Sequence, residues 1–258
     1  EIYTLSLHDA LPIFGRNRSD LKVAAAKLLL SQPKAKPADL LKEAIKTGDL
    51  TYLSGLLHAF PFENDAKSTD LILKTLKKSS LPEVVSVLTY WAGNHKMDPA
   101  VPLITNHLNH SDATVRKAAV RSLVQLGGTQ ALPALADLLK SDDVSTITLA
   151  KEALASFGGD ISGALVSRFD DCTDEGKKAI LSLIAQRKMD RQYDLVTRQI
   201  ASGNPEVKVA AANALKEVVT DKNLPSLFSL LEQSEEGLVP AVQQALPKIG
   251  RASCRERV

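Results

Sequence analysis

The stretch that decides the fold is residues 111–140, SDATVRKAAVRSLVQLGGTQALPALADLLK, because the chain repeats it. Moved 92 positions along without a gap, Val115 falls on Val207, Ala118 on Ala210, Ala119 on Ala211 and Leu123 on Leu215. The same shift lays Leu132 and Pro133 on Leu224 and Pro225, Leu135 on Leu227, and Leu138 and Leu139 on Leu230 and Leu231. A shift of 31, about a third of that distance, carries Ala119, Leu123, Leu126, Gly127 and Gly128 onto Ala150, Leu154, Phe157, Gly158 and Gly159. Run backwards, it carries Pro133 onto Pro102 and Leu139 onto Leu108. Six such steps separate LKVAAAKLL at 21–29 from VKVAAANAL at 207–215. A fixed period of this length marks a stacked-repeat architecture, and it replaces the reading by chain length alone.

Each unit reads as two helices. Ala131, Leu132 and Pro133 open the first, where the missing proline N–H costs nothing. Leu132, Leu135, Leu138 and Leu139 then give it one apolar face. Ser141-Asp142, Ser111-Asp112 and Asn204 are the expected N-caps of second helices, since a short polar side chain accepts from their free N–H groups. The second helix carries an apolar stripe of Val115, Ala118, Ala119, Val120, Leu123 and Leu126. Gly127-Gly128 and Gly158-Gly159 are expected to end it, because glycine accepts the left-handed backbone found there. One pair cannot bury its own stripe, whereas stacking covers both sides of every internal pair.

These residues resemble HEAT repeats of the short bacterial form. The pattern is a Pro-bearing first helix, then Asp-x-x-Val-Arg-x-x-Ala-x-x-Ala-Leu, then a closing Gly. Residues 112–123 follow it with Ser122 in place of the second Ala, and residues 204–215 with Lys208 in place of Arg. Units at 144–172 and 173–203 fit more loosely, without the Val-Arg pair. The likeness covers 100–248. In 14–99 it rests on helical period more than motif, with segments around 61–68 and 94–99 read as insertions. Tetratricopeptide repeats have a longer period and Trp, Gly and Tyr anchors that this chain lacks, and ankyrin's Thr-Pro-Leu-His is missing too. The resemblance implies an all-α fold, an α-solenoid of stacked antiparallel helix pairs with a repeat of about 31 residues.

The two ends stand apart. Residues 1–13, EIYTLSLHDALPI, and 249–258, IGRASCRERV, have neither helical period nor caps. Both resemble translations of one sequencing-adapter oligonucleotide. Residues 4–13 can be written act-ctt-tcc-cta-cac-gac-gct-ctt-ccg-atc. The reverse complement in a shifted frame, atc-gga-aga-gcg-tcg-tgt-agg-gaa-aga-gtg, spells 249–258, and the next codon is a stop. The expectation is that both ends are non-native and pack as decoration, and that 14–248 is a fragment of a larger protein. Truncated apolar faces would then favour aggregation.

Charge and chemistry narrow the function. Without Glu1 and Asp9, and without Arg251, Arg255, Arg257 and Glu256, the net charge stays at +2. A dedicated nucleic-acid domain is usually clearly basic, so nucleic acid is not the expected partner. Without Cys254, Cys172 stands alone, which rules out an internal disulfide. No apolar run reaches membrane-spanning length. The compartment stays open between cytoplasmic and secreted. His107 and His110, three apart, share a helix face but have no third ligand nearby, so they read as a polar helix end. His58 and His95 are single. Acidic neighbours of Cys172 (Asp170, Asp171, Asp174 and Glu175) should raise its pKa, the opposite of what a nucleophile needs. No phosphate loop, paired-carboxylate motif or serine elbow occurs, so no catalytic, cofactor or metal residue is expected.

The surface offers two candidates. Arg116, Lys178 and Lys208 hold roughly equivalent places early in second helices and are the candidate partner-binding residues. In HEAT arrays that place often supports a ladder with acidic neighbours. Tyr52, Tyr90 and Trp91 suit a binding hot spot, but Tyr90 and Trp91 follow Val84, Val87 and Leu88 at helical spacing and are expected to fill core. The leading functional expectation is a non-catalytic scaffold that offers a concave face of second helices to a protein or peptide. The alternatives are an accessory module of a larger enzyme, hydrolase-like or lyase-like, and nucleic-acid binding of the kind HEAT-like glycosylases show.

Overall fold

Second helices begin at Ser19, Leu50, Pro82, Ala113, Val144, Asp174 and Pro205, spaced 30 to 32 residues apart. The computed structural model describes residues 18–32, 35–202, 204–223, 225–227 and 229. Among these the chain is helix, turn and loop, with no strand. Both adapter-like ends, and the repeat positions Leu224, Leu230 and Leu231, lie outside the described residues. Helix pairs stack as in an α-solenoid within each of two units, Glu1–Leu126 and Gly127–Val258.

The first unit comprises α1 (Ser19–Leu30), α2 (Pro37–Thr47), α3 (Leu50–Ala59), α4 (Ala66–Lys78), α5 (Pro82–Asn94), α6 (Val101–His107) and α7 (Ala113–Leu126). First helices α2, α4 and α6 pack in one row, and second helices α1, α3, α5 and α7 in another. Contacts of α2 with α3, α4 with α5 and α6 with α7 join the rows. The second unit comprises α8 (Gly128–Asp137), α9 (Val144–Ser156), α10 (Ser162–Val166), α11 (Asp174–Gln186), α12 (Tyr193–Ser202) and α13 (Pro205–Val218). There α8 packs on α9 and α10, α12 on α13, and α9, α11 and α13 follow one another in a row.

Capping sets the register of the second helices. Asp49, Asp112, Asp143, Thr173 and Asn204 each accept a backbone N–H of the first turn, while Arg18 and Leu81 hold the same place without such a bond. The seventh residue after the cap is buried in every case: Ala25, Leu56, Leu88, Ala119, Ala150, Ile180 and Ala211. This column is the spine of each core. At Gly93 an added Cβ would lie 2.6 Å from the backbone of Ser122, so α5 and α7 are in direct contact there.

Asp49 also ties α1 to α3. It accepts from the Tyr52 N–H at 2.9 Å, from the Ser19 hydroxyl, and from the Lys22 ammonium at 3.1 Å. Desolvation pushes its carboxyl up, but the Tyr52 N–H, Ser19 and Lys22 together outweigh it and hold it below the ordinary carboxylate value. Lys22 is buried beside the Tyr52 ring, with its Nζ 5.9 Å from the ring centroid. Removing the Asp49 carboxylate would leave the buried Lys22 ammonium without its ion-pair partner, which typically costs about 3–5 kcal/mol.

Several local expectations change. The segments read as insertions are connections of the ordinary kind. Residues 61–65 hold a 3-10 turn, Phe62–Asn64, whose Phe62 is fully buried. The second holds the turn Asp98–Ala100, and neither lengthens the period. Gly127 (φ 67°) is the whole link between α7 and α8, so Gly128 begins a helix instead of ending one. Pro133 consequently lies inside α8, not at its opening, and removes one bond from its ladder. The cap of α9 is Asp143, not Ser141 or Asp142, because only its carboxylate reaches the Ser145 and Thr146 N–H groups.

Candidate binding surface

The outward face of each second helix is the stripe two, five and nine residues after its cap, since these positions share one side of an α-helix. The ninth residue is exposed in all seven helices: Lys27, His58, Tyr90 and Arg121 in the first unit, Glu152, Ser182 and Asn213 in the second. The exposed position therefore recurs at fixed register along the repeats.

The three basic residues singled out from the sequence do not share this stripe. Arg116 and Lys208 sit four residues after their caps, where Leu53, Val85 and Ile147 are buried, and both are half-buried. Long side chains at such an edge bury their stems and turn the charged head outward. The Arg116 guanidinium donates to the His110 and Ser111 carbonyls, both at 2.8 Å, and so braces the turn before α7. Lys178 sits one position further and belongs to the outward stripe. It donates at 2.6 Å to Glu175 in its own helix and to Glu206 in the next repeat. Those two bonds, Glu175 first, push its ammonium up to about 12.

Of the aromatic candidates, Trp91 fills core as expected, and Tyr52 is buried too instead of serving a surface hot spot. Trp91 donates its indole N–H to the Leu57 carbonyl at 3.2 Å, across to the preceding second helix. Tyr90 does not: it is 45% exposed. One residue is a turn of about 100° on a helix, enough to separate it from Trp91.

His95, His107, His110 and Cys172 are committed to structure, whereas His58 is exposed. His107 is buried. Its Nε2 lies 2.9 Å from the Leu76 carbonyl, so it carries the hydrogen, and Nδ1 accepts from the Thr89 hydroxyl at 3.2 Å. One neutral ring thus joins α4, α5 and α6, and burial lowers its pKa. The His110 Nδ1 accepts from the Asp112 N–H at 3.0 Å. His95 stacks on Trp91 at 4.4 Å between ring centroids and pairs with Glu63 at 3.1 Å. Cys172 is buried, and burial, more than the nearby Asp171, pushes its thiol up.

The two units present different faces. In the first, Lys27, Lys117 and Arg121 are exposed along the row of second helices. None of the three has an ion-pair partner among the described residues. In the second, cations engage carboxylates of neighbouring repeats. Besides Lys178 with Glu206, Arg168 reaches Asp137 at 2.7 Å and Lys140 reaches Asp171 at 3.1 Å. A shallow open groove between α9 and α11 is lined by Lys151, Glu152, Ala155, Ser156 and Gln186.

Second helices, each paired with a first helix, recur with a period of 30 to 32 residues. Residues 69–155 match the family model for HEAT repeats. The matched HEAT segment includes α5 to α8 entire and begins inside the part that motif reading found weakest. No curated protein matches the chain. Among the described residues, no helix is long and apolar enough to cross a membrane.

A second sequence signal, Lys-Met-Asp at 96–98 and again at 188–190, also lies 92 residues apart and escaped the motif search. Both copies end a second helix identically. Lys96 (φ 49°) and Lys188 (φ 50°) are left-handed, and the Met97 N–H donates to the Ala92 carbonyl and the Met189 N–H to the Ile184 carbonyl, both at 3.0 Å. This is the Schellman ending, built on lysine instead of glycine. Just before Lys188, Arg187 donates to the carbonyls of Leu154, Phe157 and Gly159, closing the end of the preceding second helix.

Proposed function

We propose that this chain is a non-catalytic HEAT-repeat scaffold that binds a protein or peptide along the exposed stripe of its second helices. The carrying observation is the ninth-residue column, exposed in every second helix while the seventh is always buried. Such a surface recognises extended partners by many modest contacts, so single substitutions weaken binding gradually. HEAT repeats commonly mediate protein interactions, which agrees with the matched segment. The near-neutral charge favours a protein partner over nucleic acid.

A random peptide library displayed on phage and panned against the full chain tests this reading. Selected peptides, made synthetically, should protect second-helix segments such as α3, α5 and α7 from hydrogen exchange. Selection of no binder, or protection confined to first helices, would overturn it.

A further inference from the structure

We propose that the column Lys27, His58, Tyr90 and Arg121 on the first unit is a docking site for an extended acidic peptide segment. This rests on the scaffold reading and adds the partner's chemistry. The four side chains occupy the same place, nine residues after the cap, on four successive helices that pack in one row. All four are exposed.

Charge complementarity names the occupant. Lys27 stands at one end of the column and Arg121 at the other, with Lys117 one turn before Arg121 on the same helix. None of these three cations is neutralised by an ion pair among the described residues. The acids on this face, Asp20 and Glu83, lie only two residues after their caps, at the opposite ends of the helices. They are about two turns, or roughly 10 Å, away from the column. Asp20 is moreover paired with Arg18 at 2.6 Å. The matching column of the second unit carries Glu152, Ser182 and Asn213 with no cation, and Lys178 beside it is held by Glu175 and Glu206. The basic column is therefore particular to the first unit, not a by-product of the repeat.

Spacing fixes the form of the partner. Packed helices lie about 8–10 Å apart, and an extended chain advances about 3.3 Å per residue. Each helix then meets roughly every third residue, and the column spans about ten. The segment that fits has carboxylates near both ends and an apolar or aromatic residue in the middle, against Tyr90. Tyrosine suits that place because its ring gives contact area at little entropic cost.

The test uses a fluorescein-labelled decapeptide with Asp-Glu at each end and a central Phe, titrated with the full chain by fluorescence anisotropy. The acidic peptide should bind, and the double variant Lys27→Glu/Arg121→Glu should weaken it by about ten-fold or more. Lys27→Gln/Arg121→Gln and Tyr90→Ala should each weaken it by a smaller factor, and Lys42→Glu, exposed on the first helix α2, should leave it unchanged. Helical circular dichroism should be the same for all variants. Equal binding by the double variant would overturn the proposal. So would equal binding of a Lys-Arg-ended decapeptide, or tighter binding of a single-stranded decanucleotide. Neutral or basic library peptides that protect the same helices would leave the scaffold reading standing while removing this one.

Discussion

At the scale of single residues, the structure turns two ordinary lysines into measurable strain. Lys96 and Lys188 hold a left-handed backbone that glycine adopts freely. Lys96→Gly and Lys188→Gly should each raise the unfolding free energy by about 0.5–1 kcal/mol in urea titrations. A loss of stability would mean that the lysine side chains contribute more than the strain costs. His107 makes a second residue-scale prediction. Its folded pKa lies below the ordinary 6.5, so the unfolded chain takes up the proton first as pH falls. Its contribution is full above 6.5 and is lost as pH drops through that value toward the folded pKa. Gln at 107 can still donate to Leu76 and accept from Thr89. The stability advantage of the native chain over His107→Gln should therefore shrink between about pH 7 and pH 5. A constant difference would remove the neutral buried ring.

At the scale of elements, close helix contact outweighs helix propensity. Gly93 sits in the last turn of α5 with Ser122 of α7 where its Cβ would be. Ser122 itself is buried and donates to the Thr89 carbonyl at 2.8 Å, so it has little room to yield. Gly93→Ala should gain up to about 1 kcal/mol of helix propensity yet lose about 1–3 kcal/mol net through overpacking. Gly163, in α10, has nothing within 4 Å of the same position, so Gly163→Ala should be neutral or stabilising. Thermal unfolding of the two variants decides it, and a stabilised Gly93→Ala would sink the argument. Elements were the most legible level in the sequence. Caps and apolar stripes are local, which is why Asp112 and Asn204 were readable and the period survived even where the motif failed. The start of α8 was not readable, because Gly127 and Gly128 look alike and only the left-handed backbone at Gly127 distinguishes them.

At the scale of the whole molecule, the carboxylates that cap helices and join repeats share one response to acid. Asp137, Asp49, Asp112 and Asp160 all lie below their ordinary 3.8. The Arg168 guanidinium leads at Asp137, backbone N–H groups lead at Asp112, and the Ser162 hydroxyl leads at Asp160. Their contribution is present above 3.8 and lost as pH falls through the folded values. The urea midpoint should thus fall most steeply below about pH 4, after a gentler decline that His107→Gln abolishes. A midpoint indifferent to acid would contradict these contacts.

The candidate site was only partly legible for a related reason. Arg116, Lys178 and Lys208 read as one line, yet Lys178 is one register position away from the other two, and one position is about 100° of helix. Tyr90 and Trp91 divided in the same way. By itself the sequence determined the all-α class, the period and most caps, because each is set by residues within a turn or two. Only the tertiary structure decided which cations have no ion pair among the described residues and which histidine ring is sealed. Those outcomes depend on partners a full repeat away in the chain, where packing supplies the neighbour and its burial.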